Sequence, residues 1–343
     1  MSNRTELEKL GEFGLIEHLT KDFKNEQPNT VKGVGDDAAV IDCGEKYTLI
    51  TTDMLVEGVH FNLMYTPLKH LGYKAVVVNL SDIYAMNGDA TQITVSIALS
   101  NRFSVEAVEE IYKGIKKACE LYKVDLIGGD TTSCHSGLII SITAVGEVNK
   151  NEVVYRSGAN DNDLIVVSGD LGGAYMGLQV LEREKEVYKN NPNMQPELEG
   201  YDYILERQLK PEARKDVVHF LKEMGIKPTS MIDISDGLAS ELLHLSKACG
   251  LGLSIYDEKL PVDQETFNTA REFNLTASIA ALNGGEDYEL LFTIKQSDFE
   301  KIKDNKHFTI IGHINDKNSA ATIVERNGTV QELKAQGFNH FKA

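Results

Sequence analysis

The chain has 343 residues, 42% of them hydrophobic and 25% charged, and a formal net charge of -17. That length allows two ordinary domains with their own cores, and the composition is that of a folded globular protein rather than a disordered one. The negative field disfavours nucleic acid and anionic membrane as partners, and it repels a free nucleotide triphosphate unless cations come with it.

Taken in chain order, residues 1–10 lack an apolar signal core. No stretch approaches the roughly 18 unbroken apolar residues of a membrane span, so the sequence reads as cytoplasmic. Leu7, Leu10, Phe13, Leu15, Ile16, Leu19 and Phe23 recur at helical spacing, with a short helix starting near Gly14 after a glycine turn. Strands are predicted at 38–41, 47–52 and 92–99, with a helix at 69–86 between the second and third. Ser104 is placed as the N-cap of a helix over 105–122, followed by strands at 124–127 and 138–145. Alternating helices and hairpin-like strands favour a layered α/β fold, with one mixed sheet carrying helices on one face. The second half repeats this grammar, with a strand at 163–168, a glycine-rich turn at 169–173, a helix at 174–186 and a polar loop at 189–200. Helices at 213–224, 238–249 and 265–273 then alternate with strands at 230–234, 252–256, 288–294 and 308–313. The boundary falls between 148 and 163, giving domains 1–150 and 151–343. Cys43, Cys119, Cys134 and Cys249 form no CxxC pair, which fits reduced thiols rather than disulfides or a zinc site.

Four apolar runs end in a small residue and an aspartate: TLITTD at Asp53, VVVNLSD at Asp82, DLIGGD at Asp130 and SMIDISDG at Asp233 and Asp236. A glycine turn in VGDDAAV adds Asp36 and Asp37. In α/β folds strand ends open toward ligands, so these carboxylates are expected to converge on a cleft. Converging carboxylates repel one another unless cations sit among them, and magnesium suits hard oxygen ligands and phosphate chemistry. Each aspartate taken singly is equally well a helix cap or turn residue. Ser168–Gly177 (SGDLGGAYMG) matches neither GxGxxG nor the P-loop and reads as a structural turn in preference to a phosphate-binding one. Arg156 is either a brace for a phosphoryl group or a linker ion pair. Glu286 and Asp287, after two glycines in NGGEDYELLF, are expected to face a pocket.

In order, GEFGLI, VGDDAAV, TTDMLVEGVHF, VVVNLSDIYAMNG, LIGGDTT, MIDISDGL, NGGEDYELLF and GFNHF resemble the thiamine-monophosphate kinase family over essentially the whole chain. The resemblance implies the two-domain fold of aminoimidazole ribonucleotide synthetase, with an N-terminal mixed sheet closing into a barrel across a homodimer and a C-terminal α/β domain. It implies transfer of the γ-phosphoryl of ATP to thiamine monophosphate, assisted by several Mg2+ ions. Carried over by motif, Asp37, Thr51, Thr52, Asp53, Asp82, Asp130, Asp233 and Asp236 form the magnesium shell. Tyr112, Gly129, Asp130, Arg156 and Ser235 hold ATP, with Asp130 and Arg156 as the catalytic pair, while His60, Glu286 and Phe338 face the thiamine phosphate. Selenophosphate synthetase, a sibling, would bring a reactive cysteine or selenocysteine in a glycine-rich amino-terminal segment, which is missing here. A non-catalytic nucleotide or cation binder would retain the same acidic residues.

Overall fold

A computed structural model describes residues 10–336; Phe338 lies outside the described residues. Helix α1 (Gly11–Thr20) opens the described chain and begins at Gly11 rather than near Gly14, its first residue Gly11 being left-handed (φ 63°). Strands β1 (Thr30–Lys32), β2 (Ala39–Asp42) and β3 (Lys46–Val56) follow. Helix α2 (Leu68–Ala85), β4 (Asp89–Leu99), α3 (Val105–Tyr122), β5 (Asp125–Ser133) and β6 (Leu138–Asn149) complete the first half. Its sheet runs β1-β2-β3-β6-β4-β5; the β4–β5 pair is parallel and the others are antiparallel.

The second half contains β7 (Leu164–Ser168), α4 (Gly173–Asn190), α5 (Asp202–Leu209), α6 (Lys215–Glu223) and β8 (Ser230–Asp233). It continues with α7 (Leu238–Cys249), β9 (Leu253–Tyr256), α8 (Gln264–Glu272), α9 (Ala277–Asn283) and β10 (Leu290–Ile294). The short α10 (Phe299–Ile302), β11 (Phe308–Ile314), β12 (Ala321–Val324) and β13 (Val330–Glu332) close it. A second sheet has the order β13-β12-β9-β11-β7-β10-β8. The first sheet thus draws all its strands from the first half of the chain and the second sheet all its strands from the second half.

Helix α2 sits between them, and 14 of its 18 residues are buried. It touches β3, β4 and β6 on one side and α3, α5, α6 and β8 on the others, which is why VVVNLSDIYA is apolar with little helical periodicity. Two glycines let α2 and α3 approach: a Cβ on Gly72 would lie 2.0 Å from the Ile111 carbonyl oxygen, and one on Gly114 would lie 1.9 Å from that of Lys69. The inner strands of the second sheet alternate between two cores. Val166, Met231, Leu290 and Phe292 join the core shared with α2, whereas Ile165, Val167, Ile232 and Leu291 face α7. Burial on both faces accounts for their unbroken apolar runs.

The first sheet is covered on one face only. Along β6, Leu138, Ile140, Ile142 and Ala144 are buried, while the intervening residues remain partly open. Met54 on β3 and Ile127 on β5 are 53% and 61% exposed. The sheet does not close on itself, and no helix among the described residues is long and apolar enough to cross a membrane.

Candidate active site

A cavity of about 1430 Å³ lies where α2, β3 and the turn before β2 meet the end of β8 and the 284–288 loop. Its walls include Asp37, Thr51, Asp53, Asp82, Arg156, Asp233 and Asp236. Of these aspartates, only Asp233 ends a strand. Asp53 stands within β3, Asp82 lies on the last turn of α2, and Asp37 precedes β2, so the strand-end expectation is corrected. The convergence has another cause: α2 carries its polar face to the place where the second sheet's β8 terminates against it.

Oxygens of Asp37, Asp82 and Asp233 lie within 4.8 Å of one another. Each carboxylate is held from behind. The Thr51 hydroxyl donates to Asp82 Oδ2 at 2.5 Å, the Ser81 hydroxyl to Asp233 Oδ2 at 2.6 Å, and Arg156 Nη2 to Asp37 Oδ1 at 2.7 Å. Asp37 Oδ2 is buried without a hydrogen-bond partner among the described residues. The Asp53 backbone N–H donates to Asn79 Oδ1 at 2.9 Å, and that of Asp236 to Glu241 Oε1 at 3.0 Å.

Burial pushes the carboxyls of Asp53 and Asp233 up to about 6 and that of Asp37 to about 7, and it holds Asp82 well above the usual range. Repulsion adds to this, Asp53 acting on Asp82 and Asp233 on Asp37, while Arg156 opposes it at Asp37. Glu12 on α1 pushes Asp53 the same way. Asp53 is exposed where it lines the cavity, yet the surrounding protein still disfavours its charged form. Three hard oxygen donors in one small volume, one buried oxygen without a donor, and charge that the lone guanidinium does not balance together fit a divalent cation such as Mg2+.

At the other end of the cavity, Glu286 accepts from Lys74 at 2.8 Å and from the Gln208 amide at 2.8 Å. His60 Nδ1 accepts the Val56 N–H at 2.9 Å, and Ser235 lends its carbonyl to the Glu286 N–H at 2.6 Å. Both line the cavity. The Thr52 hydroxyl bonds the Ile142 carbonyl at 3.0 Å rather than a carboxylate. Asp287 does not face the pocket as expected: it is buried and accepts the Gly172 N–H at 2.8 Å, at the start of α4. That carboxylate occupies the helix terminus in the glycine-rich turn, which supports the structural reading of SGDLGGAYMG.

Tyr112, Gly129 and Asp130 are not among the residues lining the cavity. Register explains their separation. Asp53 stands in a row with Ile142, Val95 and Gly129, whereas Asp130 shares a row with Ser96, Ser141 and Met54. Since side chains alternate along a strand, Asp130 belongs to the open face of the sheet, opposite α2 and three strands, roughly 14 Å, from β3. Gly129 is a glycine because a Cβ there would meet the Val95 carbonyl oxygen at 1.8 Å.

Lys74, Asn79, Ser81, Gln208 and Glu241, which the sequence did not single out, bond the carboxylates or the backbone of the cavity wall. The signal for three of them was available: Lys74, Asn79 and Ser81 are polar residues inside the most deeply buried helix. Gln208 lies on α5, and α5 was itself unforeseen.

Residues 35–148, which hold most of the first sheet together with α2 and α3, match the family model for the AIR synthase related protein, N-terminal domain, and this defines the class of fold. The thiamine-monophosphate kinase of Bacillus subtilis is 33% identical over 97% of this chain and 100% of its own length, and that of Aquifex aeolicus 37% over 84% and 87%. The structure of AaThiL complexed with AMPPCP and TMP superposes with a TM-score of 0.84 at 34% identity, covering 99% of this chain and 100% of that one. The chain belongs to the thiamine-monophosphate kinase family.

Proposed function

We infer that the protein phosphorylates thiamine monophosphate with ATP, giving thiamine diphosphate and ADP. The observation that carries this is the Asp37–Asp82–Asp233 cluster, with its oxygens within 4.8 Å, set in a cavity large enough for a nucleotide and a second phosphorylated molecule. The relatives and the AaThiL complex with a nucleotide analogue and TMP supply the substrate names.

Two phosphate-bearing substrates approaching in an acidic cavity repel each other and the walls. Asp37, Asp82 and Asp233 are the residues to hold Mg2+, with Asp53 and Asp236 adjacent; bound there, the metal neutralises phosphate charge and orients the reacting oxygens. The protein's own contribution is positioning. Thr51, Ser81 and Arg156 fix the three carboxylates, Asn79 and Glu241 fix the backbone beneath Asp53 and Asp236, and Arg156 offers its fork of donors beside Asp37. The acceptor phosphate is mostly deprotonated near neutrality, its second pKa being about 6, so a direct in-line transfer proceeds without a dedicated general base. His60, Ser235 and Glu286 complete the remaining wall toward the acceptor and nucleotide.

The family resemblance also implies Asp130, Gly129 and Tyr112 at the nucleotide. Within one chain Asp130 points away from the cluster, so its service there calls for a second copy packed on the open face, whose β5 then reaches the neighbouring cavity. The uncovered apolar residues Met54, in the same row as Asp130, and Ile127 favour such a homodimer. The activity is tested by incubating the protein with ATP, thiamine monophosphate and millimolar magnesium. Equal yields of ADP and thiamine diphosphate support the assignment; nucleotide binding with no thiamine diphosphate overturns it.

A further inference from the structure

Helix α2 presents Lys74, Val78 and Asp82 to the cavity at i, i+4 and i+8. Lys74 therefore stands roughly 12 Å along the helix axis from the acidic cluster. It is 3% exposed, a rare state for a lysine, and its ammonium is committed to Glu286 Oε1 at 2.8 Å and the Gln208 carbonyl at 3.2 Å. The Gln208 amide takes the other oxygen, Oε2, at 2.8 Å. Because a paired carboxylate only accepts, the amide nitrogen must face Glu286, and Gln208 Oε1 is left without a partner among the described residues. Each Glu286 oxygen thus holds one donor and keeps a lone pair. The carboxylate side chain is 28% exposed against 4% for Lys74, so Glu286 shows itself to the cavity with the ammonium behind it. The loop below is also fixed. Gly285 and Glu286 have φ of 72° and 57°, and the Glu286 and Tyr288 N–H groups bond the Ser235 and Ile234 carbonyls at 2.6 and 2.9 Å.

A buried ion pair is no better for stability than well-packed apolar residues, so a pair retained on a cavity wall, with its carboxylate turned toward the cavity, suggests a use. We propose that Lys74 is a positioning residue for the acceptor, acting through Glu286 to hold that carboxylate against the acceptor's nitrogen heterocycle, remote from the transferring phosphoryl group. The inference rests on the phosphotransferase reading above and deepens it. The ligand chemistry is that of a cationic or amino-bearing ring, which a carboxylate with two free lone pairs recognises once its orientation is fixed.

The test uses Lys74→Met and Gln208→Met, each removing one donor to Glu286, with KM measured separately for thiamine monophosphate and for ATP. Both variants are expected to raise the acceptor KM about tenfold or more, the loss of a hydrogen bond to a charged group, while the ATP KM stays within about twofold. An unchanged acceptor KM, or an equal rise in both constants, overturns the proposal. Should Lys74→Met fail to fold, Gln208→Met, which changes no charge, decides alone. Absence of thiamine diphosphate with the unmodified protein refutes the functional reading, whereas uniform KM shifts in an active protein refute only the role of Lys74.

Discussion

Asp82 shows how one side chain ties stability to function. Its carboxyl, with those of Asp37, Asp53 and Asp233, has a folded value above the ordinary 3.8. Between about pH 4 and pH 7 the metal-free folded protein therefore binds more protons than the unfolded chain, and its stability falls as pH rises through that window. Glu241 and Asp287 shift in the same direction. The unfolding temperature of metal-free protein should thus drop between about pH 4 and pH 7, and added Mg2+ should restore it at the upper end of that window by occupying the deprotonated cluster. Asp82→Asn should flatten the drop while reducing turnover by ~10²-fold or more, because it removes repulsion and a metal ligand together. A melting temperature that stays level or rises with pH, measured by differential scanning fluorimetry, contradicts this assignment of the buried carboxyls.

At the scale of elements, α2 is the part on which the site depends, and its seat against α3 requires two glycines. Gly114→Ala forces a Cβ to within 1.9 Å of the Lys69 carbonyl oxygen. The helices must separate, so the substitution should cost about 1–3 kcal/mol in urea unfolding, with a matching loss of activity as α2 shifts. Unchanged stability would mean that α2 and α3 do not cross as described. How far such elements were legible follows from their local signals. Helix α3 matched its expected bounds because Ser104 accepts the Ala107 N–H and Lys123 ends it in the left-handed region; α7 matched because Gly250 does the same at its end. Strand β10 starts at Leu290 rather than 288 because Tyr288 is itself left-handed, with φ 52°. Helix α5 and strands β1, β12 and β13 escaped notice, being short and held by tertiary contacts rather than strong local pattern. The acidic residues were legible as a set, and helix α2 over Asp82 was foreseen, but grouping Asp82 and Asp53 with strand ends was not supported, because which end or face of an element meets a cleft depends on tertiary packing rather than on the local run.

At the scale of the whole molecule, the described chain assembles the Asp37–Asp82–Asp233 cluster but leaves Asp130 on the opposite face of the first sheet. Sequence motifs name both without saying that they diverge, since only strand register fixes the face of a side chain. If a second copy supplies Asp130, variants Asp82→Asn and Asp130→Asn, each inactive alone, should regain up to about a quarter of normal activity after mixing and subunit exchange, because half the sites of each mixed dimer are then intact. No recovery after demonstrated exchange would place Asp130 outside a shared site. The central claim is direct, magnesium-dependent passage of a phosphoryl group from nucleotide to acceptor phosphate in the acidic cavity. It is tested most directly by following radiolabel from [γ-32P]ATP with thiamine monophosphate present. The account predicts label in thiamine diphosphate with Mg2+ and none when the metal is chelated; label released only as inorganic phosphate, with thiamine monophosphate unchanged, would contradict it.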